Sequence, residues 1–334
     1  MGCPYSRLRD RVRRRATVRE RPATTCAGFG LLVASVRWLV VHRRSPAVRA
    51  WRPGGGVHRV AGELSVRTFG DGDRVVVLLH GLATSGDYFG ARYDGLADRA
   101  LLAIPDLLGF GRSLDEHGAD YSLRAHLAAL DRMALELRLD GRPLTIAGHS
   151  LGALLAVHWA ASRCDVDRVV CFSTPLYVDD HEASVRIRAL GRIERLFATQ
   201  GPAPKAICEW MCRHRLGAQW VAAALEPRWP VAITRMAVRH SWASYVGAMN
   251  DVICRGGWEA PLAALEAAGT SVLLADGVAD PVPVPGRAED LAMRHRNVMV
   301  ATHPAAGHQL PITHPAWCLA LLTRRRPVSA PRRR

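Results

Sequence analysis

Lysine is almost missing from this chain of 334 residues: it occurs once, at Lys205, so arginine carries the basic charge. That bias weakens any reading of the arginines as selected for phosphate contacts. Paired metal-binding cysteines are missing too. The eight cysteines (Cys3, Cys26, Cys164, Cys171, Cys208, Cys212, Cys254 and Cys318) include no Cys-x-x-Cys and no zinc-finger spacing. Cys208 and Cys212 would share a helix face, but no third and fourth ligand stand nearby, so no metal is expected. Scattered thiols fit a reducing compartment and core packing. The glycine run Arg52-Pro53-Gly54-Gly55-Gly56 is not followed by Gly-Lys-Ser or Gly-Lys-Thr, which removes the support for a phosphate loop. Internal repeats are absent.

No apolar run reaches the roughly 20 residues that a membrane span needs. The longest candidate, Gly28–Val41, is broken by Ser35 and Arg37 and flanked by arginines. It also makes a poor signal peptide, lacking an uninterrupted apolar core and a small-residue cleavage site. A packed or interfacial helix is the first reading. The expected location is cytoplasmic, with peripheral membrane contact through this segment left open.

The formal charge of +15 would suit nucleic acid if it were spread over the folded body, but it sits at the ends. Residues 1–52 carry +11 and residues 324–334 carry +6, which leaves residues 53–323 at −2. No nucleic-acid partner is expected, and the arginine-rich ends read as solvated extensions or weak electrostatic anchors. With 49% apolar and 22% charged residues, the remainder has the composition of an ordinary globular protein.

The chain divides into a basic N-terminal extension (1–52), a body in two stretches (53–175 and 258–323), a helical insertion (176–257) and a basic tail (324–334). Strands are expected at Val57–Val60, Glu63–Phe69, Arg74–Leu79, Ala100–Ile104, Pro143–Ala147, Arg168–Phe172, Ser271–Ala275 and Val298–Ala301. Gly70-Asp71-Gly72 is expected to turn the chain between the second and third. Helical patterns lie at Leu123–Leu139, Leu151–Ala161, Pro261–Ala268, Gly286–Met293 and Pro315–Thr323. Short apolar strands alternating with helices predict an α/β fold built on a mostly parallel, eight-stranded sheet.

The segment Leu144-Thr145-Ile146-Ala147-Gly148-His149-Ser150-Leu151-Gly152 carries Gly-x-Ser-x-Gly between a strand and a helix. A serine on such a turn projects its hydroxyl from the sheet's end. As a five-residue pattern it is weak, and its context gives it weight. A serine nucleophile needs a base and a carboxylate to orient that base. His308 in Ala306-Gly307-His308-Gln309 and Asp280 in Gly277-Val278-Ala279-Asp280-Pro281 each follow an expected strand, where catalytic groups gather in open α/β sheets. Asp276, Asp179 and Asp180 are the rival carboxylates. Backbone N–H groups of Leu151 and of Leu82, in His80-Gly81-Leu82-Ala83, are the candidate oxyanion donors. His80 and Asp106 are assigned to loop shaping, not to a catalytic step.

Together His80-Gly81, Pro105-Asp106-Leu107-Leu108-Gly109-Phe110-Gly111-Arg112-Ser113, the Gly-His-Ser-Leu-Gly elbow, Gly277-x-x-Asp280 and Gly307-His308 resemble the α/β-hydrolase superfamily over about residues 57–323. Ala153 stands where many relatives carry another glycine. The resemblance implies a lid or cap after the sixth strand, which coincides with the insertion at 176–257. It disfavours members with an elbow aspartate, because this elbow holds Ser150. Trp210, Met211, Trp220, Trp229, Met236, Trp242 and Met249 would line an apolar pocket or form the insertion's own core, and the substrate-binding residues stay unassigned.

The expected function is a serine hydrolase that cleaves a carboxylic ester or related acyl substrate of small, hydrophobic character, through Ser150, His308 and Asp280 and an acyl-enzyme. No cofactor is expected. The alternatives are an acyltransferase or carbon–carbon bond hydrolase on the same triad, or a non-catalytic ligand-binding protein. The oligomeric state is left open.

Overall fold

The computed structural model describes residues 35–324 apart from 116–117, 119, 189–196 and 198–199. The first half of the apolar segment 28–41 and the arginines after residue 324 therefore lie outside the described residues.

Strands β1 (Val57–Ala61), β2 (Leu64–Leu79), β3 (Ala100–Pro105), β4 (Leu144–His149), β5 (Val166–Phe172), β6 (Ser271–Gly277) and β7 (Val298–His303) form a seven-stranded sheet. The pairs β2–β4, β4–β5, β5–β6 and β6–β7 are parallel, and β1 pairs antiparallel with β2 at one end. The expectation of eight strands is corrected here. The second and third expected strands are one extended run, β2, that passes around β3. Val66 to Phe69 stand antiparallel to Pro105 to Leu102. The register then shifts, and Val75, Val76 and Val77 stand opposite Leu101, Leu102 and Ala103, so that Leu102 and Ala103 meet β2 twice. Gly70 (φ +74°) makes the bend possible: a Cβ there would sit 2.6 Å from the carbonyls of Ala97 and Ala100.

Alternate residues of the central strands enter two separate cores, the period-2 signature of a sheet covered on both faces. Val77, Ile146, Val169, Cys171, Val272 and Leu274 face one core. Leu78, Ala147, Val170, Phe172, Leu273 and Ala275 face the other. Helices α3 (Leu123–Glu136) and α4 (Leu151–Ala161) cover the first face. α4 is buried nearly all round, which explains its almost continuous apolar sequence.

Between β5 and β6 the chain leaves the sheet for α5 (Asp180–Arg188), α6 (Pro202–Arg213), α7 (Arg215–Leu225), α8 (Val231–Ala237) and α9 (Trp242–Gly247), the last continuing as a π-helical stretch, Ala248–Cys254. It returns through α10 (Glu259–Ala267). The two ends of this excursion are fastened together. Trp258, 1% exposed, donates its indole N–H to the Tyr177 carbonyl at 2.7 Å, and the Tyr177 hydroxyl donates to the Val282 carbonyl at 3.1 Å. Arg287 stands 5.8 Å from the Trp258 ring. α11 (Arg287–Arg294), α12 (Leu310–Thr313) and α13 (Pro315–Thr323) complete the described fold.

At the N-terminal side, helix α1 (35–44), followed by the short α2 (Pro46–Ala50), lies on the excursion rather than on the sheet. Trp38 donates its indole N–H to the Ala223 carbonyl at 3.0 Å, His42 Nδ1 meets the Pro227 carbonyl at 2.9 Å, and the Ser45 hydroxyl donates to the Arg228 carbonyl. Among the described residues no helix is long and apolar enough to cross a membrane.

Trp258 is the most sensitive point of this arrangement, because truncation leaves both a cavity and an unpaired carbonyl. Trp258→Ala is expected to lower unfolding stability by about 3–5 kcal/mol, read as a reduced urea midpoint.

Candidate active site

Because β2, β4, β5, β6 and β7 run parallel, their carboxyl ends share one edge of the sheet. Ser150 follows β4 directly, Asp280 follows β6, His308 follows β7, and His80-Gly81-Leu82 follows β2. A cleft of 690 Å³ opens at the opposite edge, lined by Arg74, Thr145, Asp167, Arg168 and Ser271 among others. It holds no nucleophile–base pair, so the chemistry points to the carboxyl edge.

Ser150 occupies φ 54°, ψ −115°, a conformation that costs a non-glycine residue about 1–3 kcal/mol and persists only where its surroundings enforce it. The surroundings here are backbone. A Cβ on Gly148 would lie 2.1 Å from the Gly152 carbonyl, and one on Gly152 would lie 2.2 Å from the Leu79 carbonyl. The two glycines of the motif are thus what lets the start of α4 close against the ends of β4 and β2. The Ser150 N–H is tied to the Phe172 carbonyl at 2.9 Å, and the residue as a whole is 8% exposed. Leu151 opens α4, so its N–H has no carbonyl one helical turn earlier to bond. Leu82 lies in the turn after β2, beside Ala83 with φ 51°.

His308 Nδ1 lies 3.1 Å from each oxygen of the Asp280 carboxylate. A carboxylate only accepts, so Nδ1 carries the proton and Nε2 is left as the basic nitrogen. The Asp280 side chain is fully buried, whereas that of His308 is 23% exposed. Burial pushes the Asp280 carboxyl up, but the His308 hydrogen bond and charge, with the Val282 N–H at 2.9 Å, outweigh it and hold the carboxyl below its ordinary value. Of the rival carboxylates, Asp179 caps α5 by accepting the Glu182 N–H at 2.8 Å, and Asp180 begins that helix. Asp276 precedes Gly277 at the end of β6, beside Asp280.

His80 and Asp106 act on loops. Buried His80 accepts the Leu107 N–H on Nε2 at 2.8 Å and donates from Nδ1 to the Gly81 carbonyl at 2.7 Å. Asp106 accepts the N–H groups of Gly86 at 2.7 Å and Arg112 at 2.6 Å.

His149 is a site residue whose sequence signal is no more than its place in the elbow. It donates from Nε2 to the His308 carbonyl at 2.7 Å and stacks on Tyr88, ring centres 4.9 Å apart. Burial, and then the nearby His308 charge, lower its pKa to about 3, so it stays neutral and holds the His308 backbone in place. The Tyr88 hydroxyl in turn donates to Gln309 Oε1 at 3.0 Å. Of the insertion's large side chains, Trp229 comes within 6.2 Å of Tyr88, Met249 is core, and Trp210 and Trp220 are exposed. Among the described residues no group of three or more His, Cys, Asp or Glu side chains is arranged to hold a metal ion.

The sequence model of the alpha/beta hydrolase family matches residues 76–321, which takes in the elbow, the excursion between β5 and β6, and both Asp280 and His308. The chain belongs to this family. A cis-3-alkyl-4-alkyloxetan-2-one decarboxylase of Xanthomonas campestris is 31% identical over 178 residues, 49% of this chain and 54% of that protein. A probable lysophospholipase of Arabidopsis thaliana, BODYGUARD 4, is 28% identical over 202 residues, 54% of this chain and 46% of that protein. The chain thus spans about half the length of these curated relatives. The solved structure of E-2-(acetamidomethylene)succinate hydrolase superposes with a TM-score of 0.61 at 18% identity, over 80% of this chain and 98% of that one, which shows a shared fold.

Asp276 gives the protein a testable pH signature. Burial, and then the Asp280 charge, raise its carboxyl from 3.8 to about 7 against the pull of the Thr174 and Ser173 backbone, and its Oδ1 has no hydrogen-bond partner. Between those two values the folded state keeps a proton that the unfolded chain releases, so this group's contribution to stability falls as pH rises through that window. Melting temperatures of Asp276→Asn and wild type are expected to diverge from about pH 4 to about pH 7, the variant losing the downward slope. Parallel pH profiles would contradict the assignment.

Proposed function

We propose that this hydrolase cleaves carboxylic esters through an acyl-enzyme on Ser150, with His308 as general base and Asp280 holding it. The observation that carries the reading is the two-oxygen clasp of Asp280 on His308 Nδ1, at the same sheet edge as a serine in a strained elbow. Ser150 Oγ attacks the acyl carbon while its proton passes to His308 Nε2, and the resulting imidazolium is stabilised by the buried Asp280 carboxylate. The carbonyl oxygen takes the negative charge and is received by the N–H groups of Leu151 and Leu82, with the N-terminus of α4 adding its dipole. Collapse of this intermediate breaks the ester C–O bond, and His308 returns the proton to the departing alcohol. Water then repeats the sequence on the acyl-enzyme and releases the acid.

The helices between β5 and β6 serve as a cap over this edge. Support comes from Trp229, which sits against Tyr88, itself stacked on the elbow residue His149. Aromatic rings in that position favour an apolar acyl or alcohol group over a charged one. One of the relatives bears the name of a lysophospholipase, which is in keeping with such a substrate.

p-Nitrophenyl esters of graded acyl length test the reading. Turnover is expected to rise from acetate toward longer chains, and His308→Ala to lower kcat by about ten thousandfold, with Asp280→Asn close behind. Unchanged kcat in His308→Ala would remove the base from the mechanism.

A further inference from the structure

Helix α7 presents a face to solvent that no polar side chain interrupts. Leu216, Gly217, Trp220, Val221, Ala224 and Leu225 are all exposed, at the spacing i, i+1, i+4, i+5, i+8, i+9 that keeps them on one side of a helix. Leu216 is 82% exposed, Trp220 58% and Leu225 65%, so these are whole side chains in water rather than edges of a core. The opposite side of the same helix packs inward through Ala218 and Ala223. Single exposed leucines need no explanation, but a contiguous helical face of them marks an interaction surface.

The surroundings of this face select its partner. Helix 35–44 is fastened to the end of α7 by the Trp38 bond to the Ala223 carbonyl. Its own exposed positions are Val36, Leu39 and Val40 together with Ser35, Arg37, Arg43 and Arg44. The seven residues leading into it, from Gly28 to Ala34, carry no polar side chain, and the stretch before them holds eight arginines against Asp10 and Glu20. Exposed Arg213 stands just before α7, and exposed Glu226 and Arg228 follow it. Apolar side chains bordered by guanidinium groups match the acyl–headgroup boundary of an anionic bilayer, which accepts the first and attracts the second. A second copy of the chain docking on the same face would set one arginine-bordered surface against another, a like-charge arrangement.

We infer that the exposed face of α7 and helix 35–44 form one docking surface for an anionic phospholipid bilayer. The contact is peripheral: the apolar side chains enter the boundary layer and the arginines pair with lipid phosphates. Trp220 is held for this by Arg235, whose guanidinium lies 5.1 Å from its ring and whose Nε donates to Gln219 Oε1 at 2.9 Å. The surface also connects inward, since the chain runs from α7 to Trp229 and so to Tyr88 and the elbow. The inference stands apart from the ester chemistry, because binding is read without turnover.

Co-sedimentation of the full chain carrying Ser150→Ala tests it. The probes are vesicles of phosphatidylcholine alone and vesicles of equal parts phosphatidylcholine and phosphatidylserine. Binding is expected to the mixed vesicles, to weaken with added salt, and to fall about tenfold or more in Leu216→Ser/Trp220→Ser. Both positions are exposed, and an unchanged melting temperature would show that the variant folds. Mixed-vesicle binding that survives the double variant but is lost on removal of residues 1–34 would assign attachment to the terminal arginines and overturn the α7 surface. Equal binding to both vesicle types, no binding to either, or dimerisation that the double variant abolishes would likewise overturn it.

Discussion

The start of α4 lies so close to the ends of β2 and β4 that no side-chain carbon fits between them. A Cβ on Gly152 would come within 2.2 Å of the Leu79 carbonyl, and one on Gly148 within 2.1 Å of the Gly152 carbonyl. That contact forces Ser150 into a conformation it would not adopt alone, and it fixes where the first N–H groups of α4 point. Burial secures it: α4 is enclosed by the core on almost every side, so the strain at one residue is offset by the packing of a whole helix. The loops after β2 and β3 are then set by His80 and Asp106, and the His308 loop by His149, each through hydrogen bonds to backbone.

How much of this could be read in the sequence depended on whether a local pattern determines the geometry. The elbow could be read because two glycines around a serine, between strand and helix, describe a turn with few alternatives. Asp280 and Asp276 were harder to separate, since both follow the same strand. What distinguishes them is the direction of one side chain, toward His308 Nδ1 in the first case, and into a buried position with an unpartnered oxygen in the second. Gly70-Asp71-Gly72 reads as a turn that ends a strand. It bends one, because its glycines press against the backbone of residues 97–100 while the extended pairing continues.

The tryptophans and methionines of the region between β5 and β6 were the least legible. Composition marks them as apolar, but whether such a residue enters a core, faces a site or meets solvent depends on neighbours distant in the sequence. They divide three ways: Met249 into the core, Trp229 toward Tyr88, and Trp210 and Trp220 outward. The basic charge at the chain's beginning has a similar history. In the sequence it reads as a solvated extension or a weak electrostatic anchor, and in the fold the part of it that is described, helix 35–44, lies against the end of an exposed apolar helix.

Everything proposed for the chemistry rests on Ser150 being the group that attacks. Its hydroxyl should react once with a fluorophosphonate, and mass spectrometry of the digested protein should find one adduct, on the peptide that contains Ser150. The account predicts that this adduct is absent from Ser150→Ala. An adduct that persists in the variant, or a folded wild type that never forms one, would contradict it.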